Sequence, residues 1–337
     1  MRPSFHPSAS IILLFLLGTG GCSPEPIEVG HHAIKPDSNG VRQESLFEFN
    51  RVRMGTRVRM LIHADEVHQA ETAASAAFDR ITALEAILSD YNPASEVRQF
   101  EPTIAGDAVK ASPELIRILI RANQLSSMTG GAFDVTCGPL TRLWRTAFMK
   151  GSPPSFAQIE EAAGRVGWAF VSVDQANDEL TFEWSGMALD FGAIGKGLAA
   201  DAALSALVQH GCPRSLVDVG GDLAVGLPPP GAVGWSVGIA LDAGDAQEQI
   251  VLSQCGVATS GNAEQHLEHD GVRYSHILDP RTGSALTHSY AVTIQASDAA
   301  TADAIASAMS VLGPGMGARL VETWPSVHII AGRTREQ

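Results

Sequence analysis

The spacing of apolar residues along the chain predicts a mixture of helices and strands. Helices are predicted over residues 66–89, 113–128, 155–163, 198–208 and 300–312. In the longest of them, Ala77, Ile81 and Leu84 recur at helical intervals and would form one apolar face. Ser112 and Ser155 are predicted N-caps, because a serine hydroxyl at that position accepts a hydrogen bond from the first helical turn.

Short runs rich in β-branched and aromatic residues, bounded by turn residues, predict strands. These runs are residues 45–50, 57–63, 168–173, 179–184, 186–189, 215–219, 235–241, 249–253, 274–278, 291–295 and 327–330. Strands and helices do not alternate regularly, so the sequence predicts an α+β fold with mixed, largely antiparallel sheets and packed helices. We expect residues 45–337 to form a single domain.

The N-terminal part of the chain has the pattern of a targeting segment followed by a linker. Arg2 precedes a compact apolar run at residues 11–17, too short to span a bilayer, and small residues come immediately before Cys22. This pattern predicts a signal peptide over residues 1–21 and lipid on the sulfur of Cys22. An ordinary secretory signal is the alternative. Residues 22–44 would then be a lipid-anchored tether, and we expect an exported protein on the periplasmic side, anchored to the cell membrane as a lipoprotein.

The formal net charge of −14 restricts the partners of the domain. It disfavours nucleic acid and anionic lipid surfaces as partners through bulk electrostatics. A negatively charged ligand would need a local positive site. Cys137, Cys212 and Cys255 lack the spacing typical of zinc sites, and we interpret them as small buried residues.

The most unusual local pattern is the glycine-rich stretch of residues 189–201, at a predicted strand-to-helix junction. Glycines permit close backbone approach, and N–H groups at a helix N-terminus bind anions. Lys196 would add a positive charge for a phosphate. The stretch matches neither a Walker A loop nor the dinucleotide-binding pattern G-x-G-x-x-G. A tight turn with a solvated Lys196 is the alternative interpretation.

Three residues near the C-terminus are suited to chemistry. Asp303 and Ser307 are four positions apart on a predicted helix, so they share a face and offer two oxygen ligands to a hard cation such as Mg²⁺. A helix-surface acid is the alternative for Asp303. His276 can accept a proton near neutral pH and is the candidate base, although a histidine beside a strand is often structural.

Five stretches of the chain together resemble a known family. They are MGT at 54–56, TGGAFDVTCGPL at 129–140, LDFGAIGKGLAAD at 189–201, HILDPRTG at 276–283 and DAATADAIAS at 298–307. Their order and spacing resemble the ApbE-type flavin transferases (FAD:protein FMN transferases) over roughly residues 46–331.

The resemblance implies a flavin-transferase fold and an enzyme that moves FMN from FAD to a Thr or Ser hydroxyl of an acceptor redox protein, releasing AMP. It implies Mg²⁺ as cofactor, held by Asp303, Ser307 and the backbone carbonyl of Ala193. His276 would take the proton of the acceptor hydroxyl. Two alternatives stay open: a metal-dependent FAD pyrophosphatase with water as acceptor, and a non-catalytic FAD-binding lipoprotein.

The resemblance also places residues around FAD. The implied contacts are Met54, Tyr91, Ala132, Phe133, Asp134, Asp190, Lys196 and Ile277. Taken alone, Met54 and Tyr91 would be ordinary core residues, and Asp134 a turn aspartate. Arg281 could belong to a turn or pair with a phosphate. Trp144 also matches the family and is expected in the core.

The chain departs from the family pattern at four places. Ser307 replaces Thr, and Leu198 replaces an aromatic residue. Asp222 stands where Asn is common, and residues 262–263 are Asn-Ala where an aromatic residue is usual. We expect the first change to loosen the metal site, the second to alter only a packing contact, and the last two to alter the acceptor side of the pocket.

Overall fold

The computed structural model describes residues 28–32, 44–101, 103–239, 248–261 and 266–335. The predicted signal peptide and Cys22 lie outside these residues, as do residues 262–263. The predicted tether differs from the structure at one point, because Glu28–His32 form a strand that pairs with the first strand of the domain. The lipidation of Cys22 stays a prediction.

Fifteen strands and seven α-helices are defined in the described residues. The strands are β1 (Glu28–His32), β2 (Ser45–Arg53), β3 (Thr56–Ala64), β4 (Ala108–Lys110), β5 (Val171–Asp174), β6 (Glu179–Phe182), β7 (Ser215–Val219), β8 (Asp222–Val225), β9 (Trp235–Ile239), β10 (Glu248–Leu252), β11 (Cys255–Ser260), β12 (His266–His269), β13 (Val272–Ser275), β14 (Ser289–Ala296) and β15 (His328–Arg335). The helices are α1 (Val67–Leu88), α2 (Glu96–Gln99), α3 (Pro113–Met128), α4 (Gly138–Lys150), α5 (Phe156–Ala163), α6 (Gly195–Gln209) and α7 (Ala299–Glu322). A 3₁₀ turn, Trp168–Phe170, precedes β5.

An eight-stranded antiparallel sheet is the centre of the molecule. Its strand order is β1-β2-β3-β7-β8-β11-β14-β15, and every neighbouring pair is antiparallel. Two small hairpins, β9–β10 and β12–β13, and a three-stranded sheet of order β4-β6-β5 complete the strands. The predicted α+β class with largely antiparallel sheets is confirmed.

The two faces of the large sheet are covered by different elements. Successive residues of a strand point to opposite faces, and β7 shows this directly. Leu216 packs with Trp235 and Leu252 of the β9–β10 hairpin, whereas Val217 packs with the alanine-rich sides of α1 and α6. A further apolar cluster joins α3, α7 and β14 to the small sheet. Helices α1 and α6 therefore lie on one face of the sheet and the β9–β10 hairpin on the other.

Helix α7 runs along the sheet and is interrupted once. Asp298 caps its N-terminus by accepting a hydrogen bond from the Thr301 N–H at 2.8 Å. Gly313 has a left-handed φ of 72° and is followed by Pro314, so the helix kinks where the predicted helix ended. By length and composition α7 is apolar enough to cross a membrane, but half of its apolar window is buried, and it packs on β11 and β14. We interpret α7 as a core helix.

Most predicted elements are present, with several differences. Residues 186–189 form no strand although 187–189 are buried, because Ala188 makes only an isolated parallel bridge to Cys137 and no neighbouring strand continues the pairing. The strand predicted at 274–278 is Val272–Ser275, and the first three residues of the strand predicted at 168–173 form a 3₁₀ turn. Besides β1, the elements that were not predicted are α2, α4, β4, β8, β11 and β12. The chain turns away after β13 because the Ser275 hydroxyl accepts from the Ile277 N–H at 3.0 Å.

The three cysteines in the described part of the chain are free thiols. Cys212 and Cys255 are buried, as predicted, and Cys137 is partly buried just before α4. Burial raises the pKa of all three thiols, so they are poor nucleophiles near neutral pH.

Replacing Gly256 with alanine should strongly destabilise the fold. A Cβ on Gly256 in β11 would overlap the backbone of Asp298 and Ala299, where α7 begins. Neither backbone segment can yield without moving the helix from the sheet, so we expect a loss of about 3 kcal/mol or more in unfolding free energy, measured by urea denaturation. Gly315→Ala is the matched control, because a Cβ there has no atom within 4 Å. Equal stability of the two variants would refute the close approach.

Candidate functional site

The glycine-rich stretch is the point where α6 meets α7. The N–H groups of Ile194 and Gly195 donate to the Phe191 carbonyl at 3.1 and 2.7 Å, and this turn starts α6. A Cβ on Gly197 would overlap the Ala299 carbonyl and lie 2.6 Å from the next Cα, so only glycine permits this approach of the helices. The tight-turn interpretation therefore describes part of what these glycines do.

The same close approach creates an unusual backbone arrangement. The Gly197 N–H donates across the helix interface to Oδ2 of Asp303 at 3.1 Å. In a regular helix it would donate to the carbonyl of Ala193. Within the described residues, that carbonyl accepts no backbone hydrogen bond. The Ala193 carbonyl is thus left for another partner, beside a carboxylate on α7.

Asp303, Asp222 and Lys196 form a charged cluster at this junction, which we call the cation cluster. Asp222 and Asp303 are 1% and 5% exposed, and Lys196 Nζ makes an ion pair with Asp222 Oδ2. Burial raises the pKa of Asp222 well above its usual range, and the adjacent Asp303 carboxylate raises it further. Burial opposes the charge on Lys196, but the two carboxylates outweigh it and raise its pKa. Lys196 is therefore paired, not solvated.

The donor set around the cation cluster fits a hard cation. The cluster holds two carboxyl groups and one ammonium group, so its side chains offer more oxygen ligands than positive charges. Ser307 lies one helical turn after Asp303 and is partly buried. Carboxylate, hydroxyl and carbonyl oxygens are the ligands that Mg²⁺ prefers. In the described part of the chain no three Cys, His, Asp or Glu side chains come together as a metal site, so such a cation would also rely on backbone, water or substrate oxygens.

Asp190 belongs to a second group of charges at the start of the glycine-rich stretch. It is 7% exposed; Oδ1 accepts from the Gly192 N–H at 2.7 Å, and Oδ2 accepts from Arg145 Nη2 at 3.1 Å. Burial raises the pKa of Asp190, and the nearby Asp90 carboxylate adds to this shift. Arg145 also pairs with Asp90 and lies over the ring of Tyr91, with 4.3 Å from Cζ to the ring centroid.

Arg145 is a residue that our sequence analysis missed. It lies on α4, whereas its carboxylate partners are 45 and 55 positions away in the chain. No local pattern marks such a residue, because the contacts exist only once α4 packs beside the α1–α2 connection.

Tyr91, predicted as a contact of FAD, is 76% exposed. The alternative interpretation, that Tyr91 is an ordinary core residue, is therefore wrong.

The stretches at 129–140 and 276–283 are neighbours in space. The side chain of Arg281 lies against Gly131: a Cβ atom added to this glycine would be 3.5 Å from Arg281 Cγ. In a second contact between the two stretches, Trp144 Nε1 donates a hydrogen bond to the Gly283 carbonyl at 2.8 Å. Arg281 also forms two hydrogen bonds to Asp279, at 2.9 and 2.8 Å, as expected of a turn residue. Trp144 is buried, as predicted.

Ala132, Phe133 and Asp134, three of the predicted FAD contacts, make contacts that stabilise the fold. The side chains of Ala132 and Phe133 are 3% and 2% exposed and belong to the same apolar cluster against which Ile277 packs. Asp134 Oδ1 accepts from the N–H and the hydroxyl of Thr136 at 2.8 and 2.7 Å, and burial raises the pKa of Asp134. These are the contacts of a turn aspartate.

Met54 and His276 complete the predicted site residues. Met54 lies in the turn between β2 and β3 and has a left-handed φ of 51°. Its side chain reaches Gly195, since a Cβ atom added to this glycine would be 3.6 Å from Met54 Cε. Met54 is thus brought to the start of α6. His276 is an exposed residue at a bend directly after β13.

Asp201 links α6 to the N-terminus of α7. Its two carboxylate oxygens accept from the N–H groups of Ala299 and Ala300 at 2.8 and 2.9 Å. Burial raises the pKa of Asp201 to about 6, although these N–H groups favour the charged form. The carboxylate thereby fixes the helix that carries Asp303.

Comparison with known proteins gives one consistent match. The model of the ApbE family matches residues 54–331. The chain is 32% identical over 307 residues to a FAD:protein FMN transferase of Treponema pallidum, covering 84% of each chain. It is 30% identical over 276 residues to a FAD:protein FMN transferase of Escherichia coli K12, covering 77% of each.

Two solved structures have the same fold. The apo form of the Pseudomonas stutzeri flavinyl transferase ApbE superposes with a TM-score of 0.76 at 29% identity, covering 88% of this chain and 93% of that one. The ApbE protein of Thermotoga maritima gives a TM-score of 0.77 at 29% identity, covering 87% and 97%.

Asp201 should make the fold less stable as the pH rises. Its pKa is raised from 3.8 to about 6 on folding, so the folded state keeps a proton that the unfolded state loses. Its stabilising contribution is full below pH ~4 and is lost as the pH rises through ~6, by on the order of 3 kcal/mol. Urea unfolding from pH 4 to pH 7 should show this loss in the difference between the wild type and Asp201→Asn, because Asp134, Asp190 and Asp222 keep their own contributions in both proteins.

Asp298→Asn provides the contrasting control at the same helix N-terminus. Burial alone would raise the pKa of Asp298, but Arg121 and the Thr301 N–H outweigh it and lower that pKa. Its contribution is present at neutral pH and is lost on acidification. The difference between the wild type and Asp201→Asn should therefore fall between pH 4 and pH 7. The difference between the wild type and Asp298→Asn should stay level there and fall only as the pH is lowered below ~4. A fall with rising pH at both sites would contradict the assignment.

Proposed function

The chain belongs to the ApbE family, and we propose that it transfers FMN from FAD to a Thr or Ser hydroxyl of an acceptor redox protein, with Mg²⁺ as cofactor and AMP as the product released. The chain is an enzyme of the transferase class. The observation that carries the proposal is the cation cluster, where Asp303 on α7 binds the Gly197 N–H and the Ala193 carbonyl is left without a backbone partner.

The cation cluster suits a pyrophosphate. FAD carries two linked phosphates, and a domain with net charge −14 needs local positive charge to bind them. Lys196 is already paired with Asp222, so the local positive charge would come from a bound Mg²⁺, and the N-terminus of α6 would add a favourable dipole. Asp303, Ser307 and the Ala193 carbonyl would hold Mg²⁺. A bound Mg²⁺ would neutralise part of the pyrophosphate charge and polarise the phosphoryl oxygens.

The chemistry of transfer needs one bond formed and one broken. The acceptor oxygen attacks the phosphorus of the FMN half, the bond to the AMP phosphate breaks, and the proton of the hydroxyl goes to a base. His276 is the proposed base, because it is exposed on the 276–283 loop, where a hydroxyl from another protein can reach it. The imidazole needs no metal to accept this proton.

A membrane anchor would place this activity beside its acceptors. The apolar run at residues 11–17 and the small residues before Cys22 support a signal peptide and a lipidated cysteine. We propose that the protein is exported and held on the periplasmic side of the cell membrane. A lipid anchor gives proximity to membrane-associated redox proteins without a membrane-spanning segment.

The decisive experiment follows AMP and covalent flavin together. Protein lacking residues 1–22, which keeps β1, is incubated with FAD and Mg²⁺, with and without a candidate acceptor domain. AMP that appears only with the acceptor, matched by an FMN adduct in its mass, is the expected result. AMP released without acceptor would favour an FAD pyrophosphatase, and bound FAD without AMP would leave a binding protein.

Asp303→Asn should remove the metal dependence while keeping the fold. The amide oxygen of asparagine can still accept from the Gly197 N–H, but it is neutral and a weaker cation ligand. We expect at least a ~100-fold loss of Mg²⁺-dependent transfer. Mg²⁺ should also raise the melting temperature of the wild type but not that of the variant. Glu322→Gln, at the far end of α7, is the control; full activity of Asp303→Asn would refute the metal site.

His276→Ala should slow transfer without weakening FAD binding. Loss of a general base typically costs at least ~100-fold in kcat. The pH profile of the wild type should show an ionisation on its acidic side that the variant lacks. His269→Ala, on the neighbouring β12, is the control. An unchanged pH profile in the His276 variant would exclude it as the base.

A further inference from the structure

Tyr91 presents an aromatic ring to solvent while one face of that ring is covered. The residue is 76% exposed, yet the Arg145 guanidinium carbon lies 4.3 Å from the ring centroid. A guanidinium over a ring face is attracted to its π electrons. The ring is therefore held from one side, and its exposed area is available for stacking.

Arg145 is itself fixed from two directions. Nη1 pairs with Asp90, directly before Tyr91 in the chain, and Nη2 donates to Asp190 Oδ2 at 3.1 Å. The side chains of Asp90 and Asp190 are only 11% and 7% exposed, and that of Arg145 is 33% exposed. A guanidinium held by two buried carboxylates has little rotational freedom, so it sets the position of the ring above it.

The same arginine joins the ring to the glycine-rich stretch. Asp190 uses its other oxygen to accept from the Gly192 N–H at 2.7 Å, one residue before the Ala193 carbonyl. The chain of contacts thus runs from Tyr91 through Arg145 and Asp190 to the turn that begins α6. A ligand with a planar ring and a pyrophosphate would be contacted at both ends of this chain.

We propose that Arg145 is a positioning residue, which holds Tyr91 as a stacking platform for a planar heteroaromatic ring of the dinucleotide and fixes that platform relative to the cation cluster. This inference rests on the proposed function for its ligand, FAD. The role is carried by contacts with Tyr91, Asp90 and Asp190 and requires no contact between Arg145 and the reacting atoms.

The test compares two arginines of the same helix. Arg142 lies one turn before Arg145, has a similar side-chain exposure of 35% and pairs with Glu101. Arg145→Gln should raise the dissociation constant for FAD about tenfold, measured by flavin fluorescence, and raise KM similarly, with kcat at saturating FAD within about twofold. Arg142→Gln should leave all three unchanged.

A double-mutant cycle separates positioning from a general effect on folding. Tyr91→Leu should weaken FAD binding about as much as Arg145→Gln, and the double variant should bind no more weakly than either, because both remove the same platform. Arg145→Lys keeps the charge for Asp90 and Asp190 but loses the planar group. It should restore the melting temperature of Arg145→Gln and leave FAD binding weak.

Three outcomes would overturn the inference: wild-type FAD affinity in Arg145→Gln, fully additive losses in the double variant, or equal losses in the Arg142 control.

Binding of FMN and of AMP to Arg145→Gln, measured separately, identifies the ring that stacks on Tyr91. Weaker binding of FMN identifies the flavin, and weaker binding of AMP identifies the adenine. Unchanged binding of both refutes the platform. If the wild type binds FAD but transfers nothing, the proposed function fails while the binding result still decides the role of Arg145.

Discussion

The structure depends on one close approach, that of α6 to α7 at Gly197. Because this residue has no side chain, its N–H reaches the Asp303 carboxylate on the other helix. One turn later on α6, the Asp201 carboxylate accepts hydrogen bonds from the first N–H groups of α7. The two helices are thus fastened by polar bonds within an otherwise apolar interface of alanines. Buried polar bonds require exact partners, which fixes the register of one helix against the other.

Charge balance explains how several carboxyl groups can be buried together near the junction of α6 and α7. Each carboxylate near the glycine-rich stretch has a cation or backbone N–H groups beside it: Lys196 for Asp222, Arg145 for Asp190. The balance is incomplete at the cation cluster, where Asp303 and Asp222 share the single ammonium group of Lys196 and Asp303 also accepts from the Gly197 N–H. An uncompensated buried carboxylate is costly for a protein that only needs to fold. It becomes useful when a positively charged group binds there.

Much of the fold could be predicted from local patterns, and the rest could not for physical reasons. The helix predicted at 66–89 is Val67–Leu88, and both predicted serine N-caps accept the expected hydrogen bonds. Residues 186–189 were wrongly predicted as a strand, because a short apolar run shows burial without showing a partner. In the site, the glycines and acids were visible as patterns, whereas the contacts of Arg145 with two distant carboxylates arise only from packing.

The edge strand Glu28–His32 has a consequence for how the enzyme would sit on a membrane. With lipid on Cys22, only five residues separate the anchor from this strand, and the six fully extended Cα-to-Cα steps between Cys22 and Glu28 reach about 20 Å. The tether between the lipid and β1 is therefore shorter than the diameter of a small domain, about 30 Å. The body of the enzyme would stay close to the bilayer with the β1 edge of its sheet turned towards it, so the height at which an acceptor presents its hydroxyl becomes a condition for reaction.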